Sequence, residues 1–395
     1  MQTKRVGWGL FMIAALAVLL LLPVRAGAET QGVTDDSVLV GSYQALSGPQ
    51  SIVSLVGKGA DAYFKMVNEK GGINGRKINF IMEDDQYQVA RTVAAVKKFV
   101  ERDRVFALVG GMNTAGVMAT IQYTEQKKVL QITGMASSKF LFPPMKYGFS
   151  VRPASYVTGL IMANYALDKL GAKRIGIFYY DSSYGLDTMD GLMKVFKERG
   201  VEPVAKAAFT SQDVEFSSQA LLLKDAKPDT VILVSSFRDS PRLLTEAEKI
   251  GFKPTFFGIT ENNTPVLLKL AGKAAEGVVM PSSLPQPNSD MPQMAEYRKA
   301  FSQYYPKENA FNSLPMIGWS AAMTFGEALK RAGRDVTPDK MVEALESIKN
   351  WDGGLAYRLT FAPDRRDGQR ALRMCQVKEG KIVQIEDFIE IDKVK

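Results

Sequence analysis

Val105-Phe106-Ala107-Leu108-Val109-Gly110-Gly111-Met112-Asn113-Thr114 decides how this chain folds. The first five residues are β-branched, aromatic and apolar without interruption, the pattern of a strand buried on both faces. Gly110 and Gly111 end the run, Asn113 and Thr114 are good helix N-caps, and residues 115–126 place Val117, Ile121 and Tyr123 at helical spacing. A second apolar run, 129–132, ends in Thr133, Gly134, Met135, Ala136, Ser137 and Ser138. Two small, hydroxyl-bearing loops therefore follow two strands of one βαβ unit. In open parallel sheets such loops line the ligand crevice.

Free N–H groups and hydroxyls at a helix start offer donors and a favourable dipole to an anion, which suits a carboxylate. Each loop also has a plainer reading: Asn113 and Thr114 as caps only, Ser137 as a turn residue only. Two such loops on neighbouring strand ends favour a site. The Gly110–Thr114 turn lacks the lysine and spacing of a phosphate loop.

Outward from this unit the same alternation recurs. Strands are expected at 37–43 and 77–83, and helices from Val56 or Gly57 to the glycines at 71–72 and over 88–102. After Ser150-Val151-Arg152-Pro153 the order restarts, with helices at 155–170, 184–199 and 215–225 and strands at 174–180, 202–209, 230–234 and 255–257. The prolines at 281, 285 and 287 suggest an inter-domain crossing, followed by helices at 293–305, 311–331 and 338–348. A hairpin of strands 371–377 and 382–389 closes the chain. The fold class is α/β, with right-handed parallel sheets covered on both faces.

The start of the chain has a different character. Lys4 and Arg5 precede an apolar run over 6–24, and Ala26-Gly27-Ala28 forms a cleavage pattern, so residues 1–28 are expected to be a signal peptide. The rival is a retained anchor, against which Pro23 and Arg25 argue. Cys375 is the single cysteine, which excludes an internal disulfide and a lipidated cysteine at the cleavage point. Removing Lys4, Arg5 and Arg25 from the 50 basic residues leaves 47 against 42 acidic ones, dispersed without a basic arm, so nucleic acid is not an expected partner. The chain has no histidine. With no Ser-base, Cys-His or metal-ligand constellation either, an enzyme is not expected, nor a metal or other cofactor.

Several segments together resemble the type I periplasmic binding proteins of the leucine/isoleucine/valine class: Leu46-Ser47-Gly48-Pro49, Asn68-Glu69-Lys70-Gly71-Gly72-Ile73-Asn74-Gly75-Arg76, Glu83-Asp84-Asp85 and Tyr184-Gly185. The resemblance implies two Rossmann-like lobes joined by three crossovers, lobe 1 from 29–150 and 284–357, lobe 2 from 151–283 and 358–395. It implies a monomeric periplasmic receptor closing on a small ligand and delivering it to the permease subunits of an ABC importer. A ligand-sensing subunit for a signalling partner is the alternative.

Carried over residue by residue, the resemblance gives Thr114 to the ligand carboxylate. Met135, Ala136 and Ser137 fall in the loop meeting the carboxylate and amine, and Tyr184 is the cover from the second lobe. Ser47 belongs to the matching entry loop. Ser236 and Phe237 follow another strand end and stand as pocket candidates; Tyr156 either overlooks the crevice or packs in its helix. Asp84 and Asp85 read as a solvated turn. An amino-acid binder needs an acid for the ammonium, and ungapped spacing puts Thr260 there, while a one-residue slip puts Glu261 there. The first case suits an aliphatic or aromatic acid, and the second, expected here, an amino acid.

Overall fold

The computed structural model describes residues 30–134 and 143–391. Its first sheet runs in the order β2-β1-β3-β4-β5, from β1 (Ser37–Gln44), β2 (Lys77–Asp84), β3 (Ala107–Val109), β4 (Leu130–Thr133) and β5 (Gly148–Ser150), with every pairing parallel. The connecting helices are α1 (Leu55–Glu69), α2 (Val89–Lys97, extended by a π turn to Arg102) and α3 (Thr114–Gln126). The strand-turn-helix reading of 105–126 holds, and the apolar run is wholly buried because helices cover both faces of β3.

The second sheet repeats the plan. After α4 (Ser155–Asp168) come β6 (Ile175–Tyr180), α5 (Ser183–Glu198), β7 (Ala205–Phe209), α6 (Ser217–Asp225) and β8 (Thr230–Val234). They are followed by α7 (Ser240–Lys249), β9 (Thr255–Gly258), α8 (Pro265–Ala271) and β10 (Val279–Ser282). Helices α9 (Pro292–Tyr304), α10 (Ser313–Ala332) and α11 (Pro338–Glu346) precede the terminal hairpin β11 (Ala371–Lys378) and β12 (Lys381–Glu390). The order is β12-β11-β10-β9-β8-β6-β7, parallel from β10 to β7 and antiparallel where the hairpin joins.

Four elements escaped the sequence pattern: β5, α7, α8 and β10. Helix α7 has Pro241 in its first turn, where no N–H is needed, and buries only a narrow apolar stripe around Leu243, Leu244 and Ala247. Strand β10 includes Pro281, expected in the crossing; only Val279 pairs with β9, so the proline lies beyond the parallel ladder and removes no bond from it.

In both halves a helix pair approaches through glycine. A Cβ on Gly59 of α1 would lie 1.8 Å from the Pro315 carbonyl oxygen, and one on Gly318 of α10 would lie 1.7 Å from that of Val56. In the second half, Gly159 of α4 and Gly191 of α5 would meet the carbonyls of Thr188 and Tyr156 at 2.2 and 2.1 Å. The α1–α10 contact seats α10 against the first sheet although the chain has already passed through the second.

The chain crosses between the sheets three times: after β5, after β10 and before β11. The crossings are tied together. Ser150 N–H donates to the Arg366 carbonyl at 2.9 Å and Gly368 N–H to the Ser150 carbonyl at 2.8 Å, while Arg152 Nε donates to Ser283 Oγ at 3.0 Å. Each sheet's strand order reverses beside its first strand, between β1 and β3 and between β6 and β8. The crevice belongs at the carboxyl ends of these strands. Among the described residues no helix is long and apolar enough to cross a membrane.

Candidate functional site

One wall is built after β1, β2 and β3. Gly110 takes φ +83°, and Gly111 allows the chain to pass Tyr43, whose ring atoms would stand 2.4 Å from a Cβ there. Asn113 then caps α3: its Oδ1 accepts from Gly116 N–H at 3.1 Å and its Nδ2 donates to Thr92 Oγ1 at 3.1 Å. Its side chain is committed to the fold. Thr114, the first residue of α3, differs, because its hydroxyl is buried and has no hydrogen-bond partner among the described residues. A buried, unpaired hydroxyl at the positive end of a helix dipole is suited to a negatively charged ligand group.

The turn after β2 corrects the expectation of a solvated pair of acids. Asp85 is 1% exposed; it accepts from Thr92 Oγ1 at 2.7 Å and from Tyr87 N–H at 2.8 Å. Asp84 accepts the Ser47 hydroxyl at 2.5 Å and the amides of Leu46, Ser47 and Gln86. Burial acts to raise the Asp84 carboxyl pKa, but the bonds from Ser47, Gln86 and Leu46 outweigh it and hold the pKa below the ordinary value. Ser47 is therefore an exposed latch on Asp84, its hydroxyl already engaged. The two carboxylates together fix Gln86 and Tyr87 at φ 50° and 61°, a left-handed pair that is costly for non-glycine residues.

The facing wall comes from the second sheet. Ser182 caps α5, and Gly185 lies so near β6 that a Cβ would be 2.0 Å from the Tyr180 carbonyl oxygen, which explains the Tyr-Gly pair. Tyr184 Oη is buried with no partner among the described residues. Burial, then Glu261, Asp239, Tyr87 and Tyr180, push its pKa well above the ordinary value, so it is a hydroxyl donor at neutral pH. Tyr87 from the first wall is raised to about 12 by burial, then by Glu261, Asp85 and Tyr180. Glu261 is the carboxylate whose charge acts on both tyrosines.

That carboxylate is already paired. Arg152, 6% exposed on the first crossover, donates from Nη2 to Glu261 Oε1 at 3.1 Å and to Thr260 Oγ1 at 2.7 Å. Thr260 Oγ1 in turn donates to Glu261 Oε2 at 2.8 Å. Both residues lie in one 3₁₀ turn after β9, and both turn to the same guanidinium. Arg152, Tyr184, Thr260 and Glu261, with Ser155 and Thr158, line a small pocket whose free space is only about 10 Å³, closed down by the ion pair itself.

The other candidates take secondary places. Ser236 Oγ donates to Asp239 Oδ2 at 2.6 Å and accepts from Arg238 N–H, so its hydroxyl shapes the loop after β8. Phe237 is buried at 9% exposure. Burial raises the Tyr156 hydroxyl pKa, and the charges acting on it are Lys194, Glu198, Asp190 and Asp187 of α5 rather than those around Tyr184. Met135, Ala136 and Ser137 lie outside the described residues. Arg152 and Tyr87 went unnoticed in the sequence; their available signals were an arginine before the crossover proline and a tyrosine after paired acids. Arg238 adds a direct tie across the crevice, donating from Nη1 to the Pro49 carbonyl at 2.5 Å.

With this geometry described, the comparisons with known proteins can be set beside it. The family model described as "Periplasmic binding protein" matches residues 37–381. The Leu/Ile/Val-binding protein homolog 1 of Brucella abortus is 25% identical over 356 residues, covering 88% of this chain and 91% of the relative. A leucine-, isoleucine-, valine-, threonine- and alanine-binding protein of Pseudomonas aeruginosa is 22% identical, with 85% and 87% covered. Among solved structures, a branched-chain amino-acid ABC transporter protein of Thermus thermophilus with bound valine superposes with TM-score 0.84 at 21% identity, covering 91% of this chain and 98% of that one. A fatty-acid ABC transporter substrate-binding protein of Thermomonospora curvata gives 0.82 at 23%, covering 92% and 95%.

Proposed function

Since this chain belongs to the periplasmic binding protein family, a family of solute receptors rather than catalysts, we propose that it captures a small carboxylate-bearing solute for an ABC importer. Capture takes place between a lobe of residues 29–150 with 284–357 and a lobe of 151–283 with 358–395. The mature protein starts at Glu29 in the periplasm and hands its ligand to permease subunits. The observation that carries this reading is the buried Thr114 hydroxyl, unpaired among the described residues at the start of α3. The buried Tyr184 hydroxyl, likewise without a partner there, supplies a donor from the opposite wall. Ligands named for the relatives, which are leucine, isoleucine, valine, threonine and alanine and in one case a fatty acid, share a carboxylate.

Closure follows from differential binding. The ligand must contact both walls, because equal contacts in open and closed states shift no equilibrium. Arg238 on Pro49 contributes one lobe-to-lobe bond to the closed arrangement. Isothermal titration of the mature protein with aliphatic and aromatic carboxylates, amino acids included, tests the proposal: saturable one-to-one binding is expected, and no binding across the panel refutes it.

A further inference from the structure

Resting on the carboxylate-receptor reading, we infer that the solute carries no ammonium group beside its carboxylate, and that Arg152 is the residue that sets this preference by occupying Glu261. A zwitterion buried between lobes needs an acid, or a set of carbonyls, for its positive end. Glu261 is the acid in the cavity wall, and both its oxygens are engaged, Oε1 by Arg152 and Oε2 by the Thr260 hydroxyl.

The nearby acids have duties of their own. Asp84 and Asp85 hold the Ser47 and Tyr87 turns, Asp239 accepts the Ser236 hydroxyl, and Asp187 accepts Tyr156 N–H. The sequence over 135–142, Met-Ala-Ser-Ser-Lys-Phe-Leu-Phe, contains no acid and one lysine.

Arg152 is poorly placed to yield. Its side chain is 8% exposed, and its Nε is tied to Ser283 on the second crossover, so displacing it from Glu261 disturbs two crossings at once. An incoming ammonium would approach the guanidinium as it approached the carboxylate, and the attraction to one is offset by repulsion from the other. The ion pair leaves this wall neutral, while the start of α3 presents a positive pole. That combination fits a monocarboxylate with an uncharged body. The buried Tyr184 hydroxyl stays protonated and serves as a neutral donor beside it.

Calorimetric titration of the mature protein with matched pairs tests the inference: leucine against 4-methylpentanoate, and phenylalanine against 3-phenylpropanoate. The wild type is expected to bind the deaminated member of at least one pair tenfold or more tighter than the amino acid. Arg152→Gln, which releases Glu261, is expected to move that ratio at least tenfold toward the amino acid. An amino acid bound as tightly as its deaminated partner, or more tightly, overturns the inference and leaves the receptor reading standing. Failure of both members of both pairs, extended to the wider carboxylate panel, overturns the receptor reading itself. Because loss of a buried guanidinium can prevent folding, the wild-type ratio decides the matter alone, and the variant's ratio counts only when its melting curve is cooperative.

Discussion

Replacing Thr114 by valine removes one hydroxyl from the crevice and almost no volume. In the ligand-bound state that hydroxyl is expected to donate to a carboxylate, an interaction worth about 1.5–3 kcal/mol when the acceptor is charged. At about 1.4 kcal/mol per tenfold, Kd should rise roughly 10- to 150-fold. In the ligand-free protein the sign differs. Thr114 is 5% exposed and its buried hydroxyl has no partner among the described residues, so deleting it sacrifices no bond to them. Asn113, not Thr114, supplies the side-chain cap of α3, so the helix keeps its start. Ligand-free stability is therefore expected to stay level or rise by up to about 1 kcal/mol. Titration calorimetry gives Kd, and a thermal melt without ligand gives stability. An unchanged Kd together with a lower melting temperature would mean that the hydroxyl serves the fold and not a ligand, and would refute the carboxylate site.

Tyr184→Phe should weaken binding by about 0.5–1.5 kcal/mol, mainly through faster release, because its contact forms on closure; stopped-flow dissociation checks this. Arg238→Ala should also raise the off-rate, by several-fold, since it removes the bond to the Pro49 carbonyl, and an unchanged off-rate would show that this tie does not hold the closed form. Gly318→Ala should cost at least about 1–3 kcal/mol in urea unfolding, because the new Cβ meets the Val56 carbonyl at 1.7 Å and backbone cannot yield cheaply. Asp367, fully buried on the third crossover, has its pKa raised from 3.8 to about 6 by burial, which outweighs Arg370 and Arg365. A carboxyl with a raised folded pKa stabilises the fold fully below pH 3.8 and loses that contribution as pH climbs through 6, about 3 kcal/mol in all. Urea titrations at pH 4 and 7.5 should show this slope in the wild type and a flatter one in Asp367→Asn; parallel pH profiles would contradict it.

The alternation of strands and helices was legible because it is local. Periods of two and 3.6 residues, glycine at turns and Asn or Ser at helix starts are set by the backbone of a few neighbouring residues. Placement at a strand end nominated Thr114, since the crevice of a parallel sheet follows from topology, and the family resemblance nominated Tyr184; both hydroxyls are buried without a partner among the described residues. The same logic nominated Ser47, Asn113 and Ser236, and there it stopped short. A hydroxyl or amide on a crevice loop looks alike in sequence whether it faces a ligand or an Asp84, a Gly116 or an Asp239.

The amino acids alone gave away two parallel-sheet halves and a glycine turn leading into a capped helix start, while the three crossings came from the family resemblance. Only the tertiary structure decided which charges are spent. Glu261 is a free acid in the sequence and half of an ion pair in the fold, because Arg152, 109 residues earlier, lies 3.1 Å from it. Gln86 and Tyr87 take left-handed backbone angles because Asp84 and Asp85, which looked solvated, hold their turn. Coulomb energy and desolvation depend on distance through space and on the water excluded between groups, and neither is a function of separation along the chain.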